Sequence, residues 1–334
     1  MNKLRTAVVG AGKMGTIHAK VYDSLDSCEL VAIVDKDLQS AEKLAKKYKC
    51  QAYSDCKDLI GKVDAVTISA PTIYHSEIAE FLIKNKIAVM IEKPLAASVE
   101  QGRRIVELSK QYDVVVAVGH SERCNPVVQA MKRLDIEPKF IEANRISPYP
   151  FRSMDVGVVL DVMIHDIDII LSLANSKIKK VEAIGVNVIE EQEDICNARI
   201  VFENGCIANI TASRLALKTE RKVRVFSKQA YLSLDYYKKY GIIIKAGENV
   251  NVVEWIREKK REKNFNFMSV NWPELLHIEE LEIDDREPLR VEQESFLKAV
   301  ADRSSRPEVS VEDGLAAMEC AEMILKSLKE HSWD

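Results

Sequence analysis

A glycine-rich turn near the amino terminus constrains this chain more than any other feature of its sequence. Between an apolar run at 4–9 and an amphipathic stretch at 13–25 lie the residues Gly10-Ala11-Gly12-Lys13-Met14-Gly15. A G-x-G-x-x-G pattern in this setting is typical of dinucleotide-binding folds. Gly10 permits a tight turn, Gly12 lets the backbone approach a pyrophosphate, and Gly15 lets the helix pack against the strand. The pattern predicts a helix N-terminus that binds phosphates, through backbone groups that include Lys13 and Met14.

An acidic residue after the second predicted strand indicates which cofactor this turn binds. The apolar segment at 29–34 ends in Asp35, at the spacing of about 20 residues that dinucleotide-binding folds show. A carboxylate there accepts hydrogen bonds from the adenosine ribose and repels a 2′-phosphate. We therefore expect NAD rather than NADP, although Lys36 adds a positive charge beside the acid. The alternative is a structural glycine turn followed by a surface aspartate.

Length and composition indicate a globular chain of about two domains. The 334 residues are 47% hydrophobic and 30% charged, with a net charge of −4. The lack of a basic surplus argues against nucleic-acid partners, and no apolar run reaches the ~20 residues of a membrane span. Seven scattered cysteines form no C-x-x-C pair. We therefore expect reduced thiols, no metal site, and a cytoplasmic protein without a signal peptide.

Strand and helix signals alternate over the first 121 residues. The predicted strands lie at 4–9, 29–34, 64–69, 87–91 and 114–118, and the predicted helices at 13–25, 37–48, 73–85 and 98–111. Short apolar strands between helices predict an α/β fold with a doubly wound parallel sheet of the Rossmann type. We assign this dinucleotide-binding domain to residues 1–121.

Residues 122–334 predict an α+β domain with a large, open, mostly antiparallel sheet. Period-two segments occur at 180–189, 195–202, 206–213, 221–227, 230–235 and 241–245, beside a strand at 139–146 and helices at 125–134, 157–173, 289–302 and 311–329. Asn204-Gly205 is a hairpin signal, and the C-terminal helix could pack back on the first domain. A sheet face free of helices favours burial against a partner, so we expect a homodimer or homotetramer.

The segment at 254–275 allows two interpretations. It combines basic with aromatic side chains, namely Lys259, Lys260, Arg261, Lys263, Trp255, Phe265, Phe267 and Trp272. Such a segment can form a loop over a phosphorylated substrate or an oligomer contact. A solvated helix followed by a loop explains the pattern equally well.

Two polar clusters follow predicted strands, at the sheet edge where open α/β folds bind ligands. After the strand at 64–69, the first cluster consists of Ser69, Ala70, Pro71, Thr72 and His75. We interpret it both as a turn with Thr72 as a helix N-cap and as backbone that lines the nicotinamide side of the cleft.

The second cluster, Glu92-Lys93-Pro94, follows the strand at 87–91. A lysine at a strand end, partly desolvated beside a cationic nicotinamide, could have a lowered pKa and handle a proton. A surface salt bridge from Glu92 or Lys93 to a neighbouring helix is the alternative, and the tripeptide alone does not separate the two.

A third cluster lies on the predicted helix at 157–173. Asp161 and His165 are four residues apart, hence on one face of an α-helix. A carboxylate beside an imidazole fixes its tautomer and raises its basicity, as a proton-transfer site needs. Asp168 could cap or orient the group. The alternative is a histidine satisfied within the core.

Together these motifs resemble the Gfo/Idh/MocA oxidoreductase family, which includes glucose–fructose oxidoreductase and inositol dehydrogenase. The resemblance covers essentially the whole chain and adds Arg123 and the pair Asn125-Pro126, although Cys124 stands where many members have phenylalanine. It implies catalytic roles for Lys93, Asp161 and His165 and a cis peptide bond before Pro94. It also implies a second domain whose open sheet covers the substrate and mediates oligomers.

Within the family, three segments are similar to a branch that oxidises the C3 hydroxyl of UDP-N-acetylglucosamine with NAD, for the diamino sugars of lipid A. The segments are 144–148, 152–157 and 160–168. The resemblance implies a nucleotide-sugar substrate held by Lys93, Arg123, Asn125, Arg145, Arg152, Asp161 and His165. Arg145 and Arg152 are the candidates for its phosphates, and ordinary ion pairs are the alternative for both.

Three functional hypotheses remain open from the sequence. In the first, His165 oriented by Asp161 takes the alcohol proton and Lys93 stabilises the developing alkoxide, or Lys93 and His165 exchange these roles. In the second, the same residues serve a dehydrogenase of a free polyol such as myo-inositol. In the third, the chain is a non-catalytic NAD-binding sensor.

Overall fold

The computed structural model describes residues 3–149, 156–246, 252–262 and 276–330. Contacts between these residues divide them into two compact units. The first unit contains the residues up to 125, 167–169 and 286–325, and the remaining described residues form the second. The predicted domain boundary at residue 121 stays a prediction. The two units are described separately below.

Fourteen strands and nine helices lie in the described part of the chain. The strands are β1 (Leu4–Val9), β2 (Cys28–Val34), β3 (Gln51–Tyr53), β4 (Ala65–Ile68), β5 (Ala88–Glu92), β6 (Val116–Gly119), β7 (Pro138–Ile146), β8 (Ile178–Val186), β9 (Ile195–Phe202), β10 (Ile207–Ser213), β11 (Glu220–Ser227), β12 (Ala230–Asp235), β13 (Tyr240–Ala246) and β14 (Leu276–Glu280). The helices are α1 (Lys13–Asp23), α2 (Leu38–Tyr48), α3 (His75–Lys84), α4 (Val99–Tyr112), α5 (Pro126–Lys132), α6 (Ile164–Ala174), α7 (Val252–Arg261), α8 (Pro288–Ala301) and α9 (Val311–Glu330).

The first unit is built on a six-stranded parallel sheet in the order β3-β2-β1-β4-β5-β6. This is the doubly wound Rossmann order, whose direction reverses between β1 and β4. Apolar side chains are buried on both faces, as expected for parallel strands covered by helices. The predicted α/β fold is therefore confirmed, and the carboxyl ends of β1 and β4 meet where such folds bind dinucleotides.

Two C-terminal helices contribute to the core of this unit. Leu289 and Phe296 of α8 pack in the same apolar cluster as Val8 and Ile33 of the sheet. Met318 of α9 belongs to the cluster on the opposite face. Residues at the far end of the chain thus complete the dinucleotide-binding unit.

The second unit contains an eight-stranded sheet in the order β14-β13-β12-β11-β7-β10-β9-β8. Only β7 and β10 run parallel, and every other neighbouring pair is antiparallel. Along β7, the buried residues Ile141, Ala143 and Arg145 alternate with half-buried ones. The strand pairing confirms the mostly antiparallel sheet, and the period of two along β7 shows one buried and one more open face.

The hairpin predicted at Asn204-Gly205 joins β9 to β10. Gly205 has a φ of +82°, which glycine adopts without steric cost. The side-chain oxygen of Asn204 accepts a hydrogen bond from the backbone of Cys206 at 3.0 Å. Two short strands, β3 and β14, were absent from the prediction because each has five residues or fewer and pairs only at a sheet edge.

Part of the basic and aromatic segment at 254–275 lies outside the described residues. Its beginning belongs to α7, in agreement with the solvated-helix interpretation for that part. Within the described ranges, no helix is both long enough and apolar enough to cross a membrane.

Candidate active site

The glycine turn follows β1, as predicted. Gly10 has a φ of +104°, and a Cβ there would lie 2.7 Å from the backbone of Ser69. A Cβ on Gly15 would lie 1.7 Å from the carbonyl oxygen of Gly10, so only glycine allows α1 to approach the turn this closely. A Cβ on Gly12 would meet no heavy atom of the described residues within 4 Å. This opening leaves room for a pyrophosphate at the helix N-terminus, where no side chain caps the first turn.

Asp35 lies at the end of β2 beside this turn. Its carboxylate accepts hydrogen bonds from the backbone of Ala11 at 2.7 Å and of Asp37 at 2.9 Å. The acid is thereby held next to the phosphate-binding glycines, where a ribose would follow. The ammonium group of the neighbouring Lys36 lies 4.1 Å from the centre of the Tyr74 ring, which is the distance of a cation–π interaction.

The segment after β4 differs from its prediction in one respect. Thr72 is not a helix N-cap, because it begins a short 3₁₀ turn at Thr72–Tyr74 and α3 starts only at His75. The fixed φ of Pro71, −57°, matches such a turn. The hydroxyl of Ser69 donates to the carbonyl oxygens of Val9 and Gly10, at 3.2 and 3.1 Å. The ends of β1 and β4 are therefore tied together at the switch point of the sheet.

His75 is buried, with an exposed fraction of 1%. Its ring nitrogens lie 2.8 Å from the carbonyl oxygen of Ala70 and 3.0 Å from that of Pro94. Burial lowers the pKa of His75, which the two carbonyls oppose. In this structure the ring binds protein backbone on both sides.

The Glu92-Lys93-Pro94 segment follows β5, and the peptide bond before Pro94 is cis, as the family resemblance implied. Glu92 Oε1 lies 2.7 Å from His18 Nε2 on α1, and Glu92 Oε2 accepts the Lys93 backbone N–H at 3.2 Å. Burial raises the pKa of Glu92, but His18 and Lys93 outweigh it and the net shift is downward. The observed partner of Glu92 is on a helix, as in the salt-bridge alternative, but His18 is fully buried and Glu92 is half-buried, so the contact does not lie on the surface.

Asp161 and His165 do not lie on one regular α-helix. Residues Val159–Met163 form a π-helical turn, and the N–H of Ile164 bonds to the carbonyl oxygen of Val159. Asp161 therefore belongs to the π turn and His165 to the first turn of α6. The i, i+4 rule for α-helices does not set their relative direction, because the π turn contains an additional residue. Such turns occur frequently at functional sites.

Glu193 supports the start of this helix and was missed in the sequence analysis. Its side chain accepts the Val159 N–H at 3.0 Å, and its carbonyl oxygen accepts the Val158 N–H at 2.9 Å. A Cβ on Gly157 would lie 2.1 Å from the Glu193 carboxylate. Glycine at 157 therefore lets Glu193 reach the helix, and the acidic run at 190–194 is the only sequence signal for this contact.

The arginine Arg214 and the acid Asp194 form a second contact that no local pattern indicated. They form a buried pair at 2.6 Å, and Arg214 also donates to the carbonyl oxygen of Val156 at 2.8 Å. Burial opposes ionisation, yet backbone hydrogen bonds and Arg214 lower the pKa of Asp194 to about 2. The pair anchors the chain just before the helix that carries Asp161.

The arginines predicted to bind substrate differ in what they contact. Arg145 forms a bidentate pair with Asp166, with both contacts at 2.8 Å, and both side chains are almost fully buried. Arg123 pairs with Asp168 in the first unit, and its Nε lies 2.8 Å from the carboxylate. These contacts favour the ion-pair alternative for Arg145 and give Asp168 an orienting partner. Arg152 lies outside the described residues.

Asn125 ends the turn that carries Arg123. Its backbone N–H donates to Glu122 at 3.1 Å, and it is 6% exposed. Cys124 beside it is buried, so the residue that departs from the common family pattern packs inside the first unit.

Comparison with known proteins identifies the family. The model of the oxidoreductase family with an NAD-binding Rossmann fold, Gfo/Idh/MocA, matches residues 4–120. The model of the Gfo/Idh/MocA C-terminal domain matches residues 141–233. The chain belongs to the Gfo/Idh/MocA oxidoreductase family. It is an NAD-dependent dehydrogenase. The turn at Gly10–Gly15 leaves space for the pyrophosphate of NAD, and Asp35 provides a carboxylate acceptor for the ribose beside it.

Two relatives and two solved structures show how far the similarity extends. The chain is 32% identical over 237 residues to the UDP-N-acetylglucosamine 3-dehydrogenase of Acidithiobacillus ferrooxidans, covering 71% of this chain and 75% of that protein. It is 27% identical over 261 residues to the myo-inositol 2-dehydrogenase of Thermotoga maritima, covering 72% and 78%. A structure of the former enzyme matches with a TM-score of 0.87 at 26% identity, covering 99% of both chains. Levoglucosan dehydrogenase with NADH shares the fold, with a TM-score of 0.82 at 17% identity and coverage of 99% and 98%.

Proposed function

We propose that this dehydrogenase oxidises the C3 hydroxyl of UDP-N-acetylglucosamine to the 3-keto sugar. The observation that carries the proposal is the similarity to the Acidithiobacillus enzyme, which extends through 99% of both chains in structure. The segments at 144–148 and 160–168, which contain Arg145, Asp161 and His165, support the same assignment. In the cell, the ketone would then be aminated on the way to a diamino-sugar lipid A.

The proposed chemistry divides the work between NAD and the protein. NAD accepts the hydride from C3, and the hydroxyl proton leaves to a side chain. We assign this proton to His165, with Asp161 orienting the ring, and we assign stabilisation of the developing alkoxide to Lys93. The balance is one alcohol and NAD⁺ converted to one ketone, NADH and a proton.

Arg152 is our candidate for the substrate phosphates. Guanidinium groups bind phosphate oxygens in a bidentate manner, but Arg145 and Arg123 already use this geometry on Asp166 and Asp168. A buried carboxylate leaves little positive charge for a second anion. Arg145 and Arg123 therefore support the site as ion pairs in this proposal.

Oxidation of myo-inositol is the second candidate function. The similarity to the Thermotoga myo-inositol 2-dehydrogenase favours it, since that alignment covers 78% of the relative. The same Lys93, Asp161 and His165 would act on a ring hydroxyl, and only the pocket would differ.

The proposed enzyme is a homo-oligomer assembled through the open face of the eight-stranded sheet. One row of apolar side chains crosses this face in register from β9 to β14: Val201, Ile207, Phe140, Phe226, Tyr231, Ile244 and Ile278. At about 4.8 Å between strands the row is roughly 30 Å long. Phe226 is 39% exposed and Ile278 is 51% exposed, so a second copy of the chain would bury apolar surface there.

Light scattering after size-exclusion chromatography tests this assembly. Phe226→Glu should shift the particle towards the monomer, because it puts a charge in the centre of the row. Ile60→Lys is the matched control, since Ile60 is 49% exposed in the first unit and lies outside the row. An unchanged mass for Phe226→Glu would contradict this assembly.

The proposal places the enzyme in the cytoplasm, where NAD and nucleotide sugars are available. All seven cysteines are free thiols in the structure, which is consistent with a reducing compartment.

NADH formation by the purified protein tests the substrate. UDP-N-acetylglucosamine, myo-inositol and free N-acetylglucosamine are compared, with a glutamate-dependent aminotransferase to remove the ketone. We expect turnover on the nucleotide sugar alone. Turnover on inositol would establish the second candidate, and turnover on none of the three would overturn both substrate proposals.

A further inference from the structure

The two residues that flank Lys93 are both held by buried histidines of the first unit. His18 Nε2 lies 2.7 Å from the Glu92 carboxylate, and His75 Nδ1 lies 3.0 Å from the carbonyl oxygen of Pro94. The exposed fractions of His18 and His75 are 0% and 1%. Buried imidazoles need hydrogen-bond partners, and these two have them on either side of Lys93.

Gln293 on α8 fixes the tautomer of His18. Its amide nitrogen donates to the carbonyl oxygen of His18 at 3.3 Å and lies 3.0 Å from His18 Nδ1. Because the carbonyl accepts only, the NH₂ end of Gln293 must face His18, and Nδ1 therefore accepts as well. The ring proton is left on Nε2, from which it donates to Glu92.

The Glu92 carboxylate is confined on its other sides. Its second oxygen accepts the Lys93 backbone N–H at 3.2 Å. On β6, a Cβ on Gly119 would lie 3.2 Å from both Cα and Cδ of Glu92, so the two strands leave no spare space there. Glu92 is therefore held by hydrogen bonds on two sides and by packing on a third.

His75 gives Pro94 a comparable support. Its second nitrogen lies 2.8 Å from the carbonyl oxygen of Ala70. Both partners of the ring are acceptors, so either tautomer donates to one of them. His75 thus connects the segment after β4 with the segment after β5.

We propose that Gln293, His18 and His75 are positioning residues for Lys93. Gln293 orients His18, His18 holds Glu92, and His75 holds Pro94, so that the backbone at Lys93 is fixed from both sides. The inference rests on the proposed role of Lys93 at the substrate hydroxyl. A shift of about 1 Å at a reacting group costs on the order of a hundredfold in rate, which is why such support matters.

Gln293→Leu is the first test, because leucine fills similar space and removes both donations to His18. We expect kcat to fall by about tenfold to a hundredfold, with the Kd for NADH changed less than about threefold because no phosphate or ribose contact is lost. Tyr22→Phe is the matched control. It lies on the same helix α1 and loses a buried hydrogen bond to Thr67 of 2.6 Å, so its Tm should fall while its kcat stays unchanged.

Conservative rescue at His18 separates positioning from general packing. His18→Gln can place its amide nitrogen near the former Nε2 and still donate to Glu92, whereas His18→Leu has no donor. We expect His18→Gln to keep much more of the wild-type kcat than His18→Leu, at comparable Tm. Equal kcat losses in the two variants, or a loss in Gln293→Leu no larger than in Tyr22→Phe, would overturn the proposal.

A readout independent of turnover is the ¹⁵N NMR spectrum of the His18 ring. We expect a protonated Nε2 and a bare Nδ1 in the wild-type protein, and a relaxed tautomer preference in Gln293→Leu. A proton on Nδ1 in the wild type would contradict the arrangement.

The Lys93→Ala variant separates the proposed catalytic role of Lys93 from the positioning proposal. If Lys93→Ala turns over normally, the proposed role of Lys93 fails and the positioning proposal fails with it. If Lys93→Ala is inactive while Gln293→Leu is normal, the role of Lys93 stands and only the positioning proposal is wrong. If no tested sugar is oxidised, the NMR measurement alone decides the His18 arrangement.

Discussion

The two sheets of this enzyme differ in how they present functional residues. In the six-stranded parallel sheet, both faces are buried, and the candidate cofactor residues lie in short segments directly after β1, β2, β4 and β5. In the eight-stranded sheet, one face is open, and the candidate residues of the second unit, Arg145, Asp161 and His165, lie on β7 and on the helical segment that begins at 159. The parallel sheet collects local motifs at one edge, whereas the second unit assembles its site from contacts distant in sequence.

Sequence patterns carry functional information where the residues of a site lie close together in the chain. After β1, the glycines themselves make the phosphate-binding turn. In the second unit, by contrast, Asp161 depends on Glu193 and on the Arg214–Asp194 pair to hold its helix. Supporting residues of this kind have no fixed sequence spacing to the residues that they hold in place.

The largest expected effect compares one candidate from each unit. Lys93→Ala in the first unit and His165→Ala in the second should each lower kcat/KM by about 10²- to 10⁴-fold, the range for loss of a proton-handling group. The Kd for NADH should stay nearly unchanged in both, because the glycine turn and Asp35 are intact. Steady-state kinetics and NADH fluorescence titration measure the two quantities.

Near-normal turnover in one of these variants would remove that residue from the catalytic set. The proton transfer would then be assigned to the candidate residue of the other unit. A parallel loss of NADH binding would instead point to a structural effect.

A smaller effect is expected from the buried arginine pair of the second unit. Arg145→Met leaves the Asp166 carboxylate buried without its partner, and we expect a loss of about 3–5 kcal/mol in the free energy of unfolding. Combining Arg145→Met with Asp166→Leu should restore most of this loss, since no charge stays buried. Urea unfolding followed by circular dichroism measures both.

The same substitutions made at Arg123 and Asp168 provide the comparison in the first unit. If Arg145→Met keeps its stability but raises the KM for the nucleotide sugar, the ion-pair interpretation is wrong and Arg145 binds substrate.

The smallest expected effect concerns the buried carboxyl of Glu292 on α8. It is 3% exposed, and neither oxygen forms a hydrogen bond with the described residues. Burial raises its pKa well above the ordinary 4.5, and the neighbouring Glu92 and Asp168 add to the shift. The folded protein therefore keeps its proton where the unfolded chain ionises, and stability falls as the pH rises above the ordinary value.

Glu292→Gln removes this dependence. We expect its Tm to exceed that of the wild type at pH 8, with an advantage that shrinks towards pH 5. Each kcal/mol corresponds to about 2–4 °C in a unit of this size. Scanning calorimetry at the two pH values measures the difference, and an advantage that grows towards pH 5 would contradict the assignment.

Prediction from sequence succeeded for the helices and strands that short-range interactions define. Apart from β3, the strands and helices of the first unit were found within a few residues, because each combines a strong apolar period with a turn signal. The edge strands β3 and β14 were missed, since short segments at a sheet edge carry little periodicity. Thr72 was assigned to a helix N-cap because its sequence fits one, but the chain turns once more before α3 begins.

The candidate site was predicted as a set of residues, without their supports. Arg123 was selected through the family resemblance, Arg145 as a phosphate ligand and Asp168 as an orienting group, and the structure pairs each of them with a buried opposite charge. Glu193 and Arg214 were not selected, because a helix start and a loop anchor require knowledge of which strand ends lie nearby. The domain limits and the catalytic roles stay predictions.

The sequence alone determined the Rossmann unit, the choice of NAD and the family of the enzyme, because glycines, strand periods and one acid act over a few residues. How Lys93 is held depends instead on the tertiary structure. Gln293 lies 200 positions beyond Lys93 in the chain, on α8, and it reaches His18 because that helix packs in the apolar core of the first unit. Hydrogen bonds between buried side chains depend on packing that brings distant segments together, and no local pattern records them.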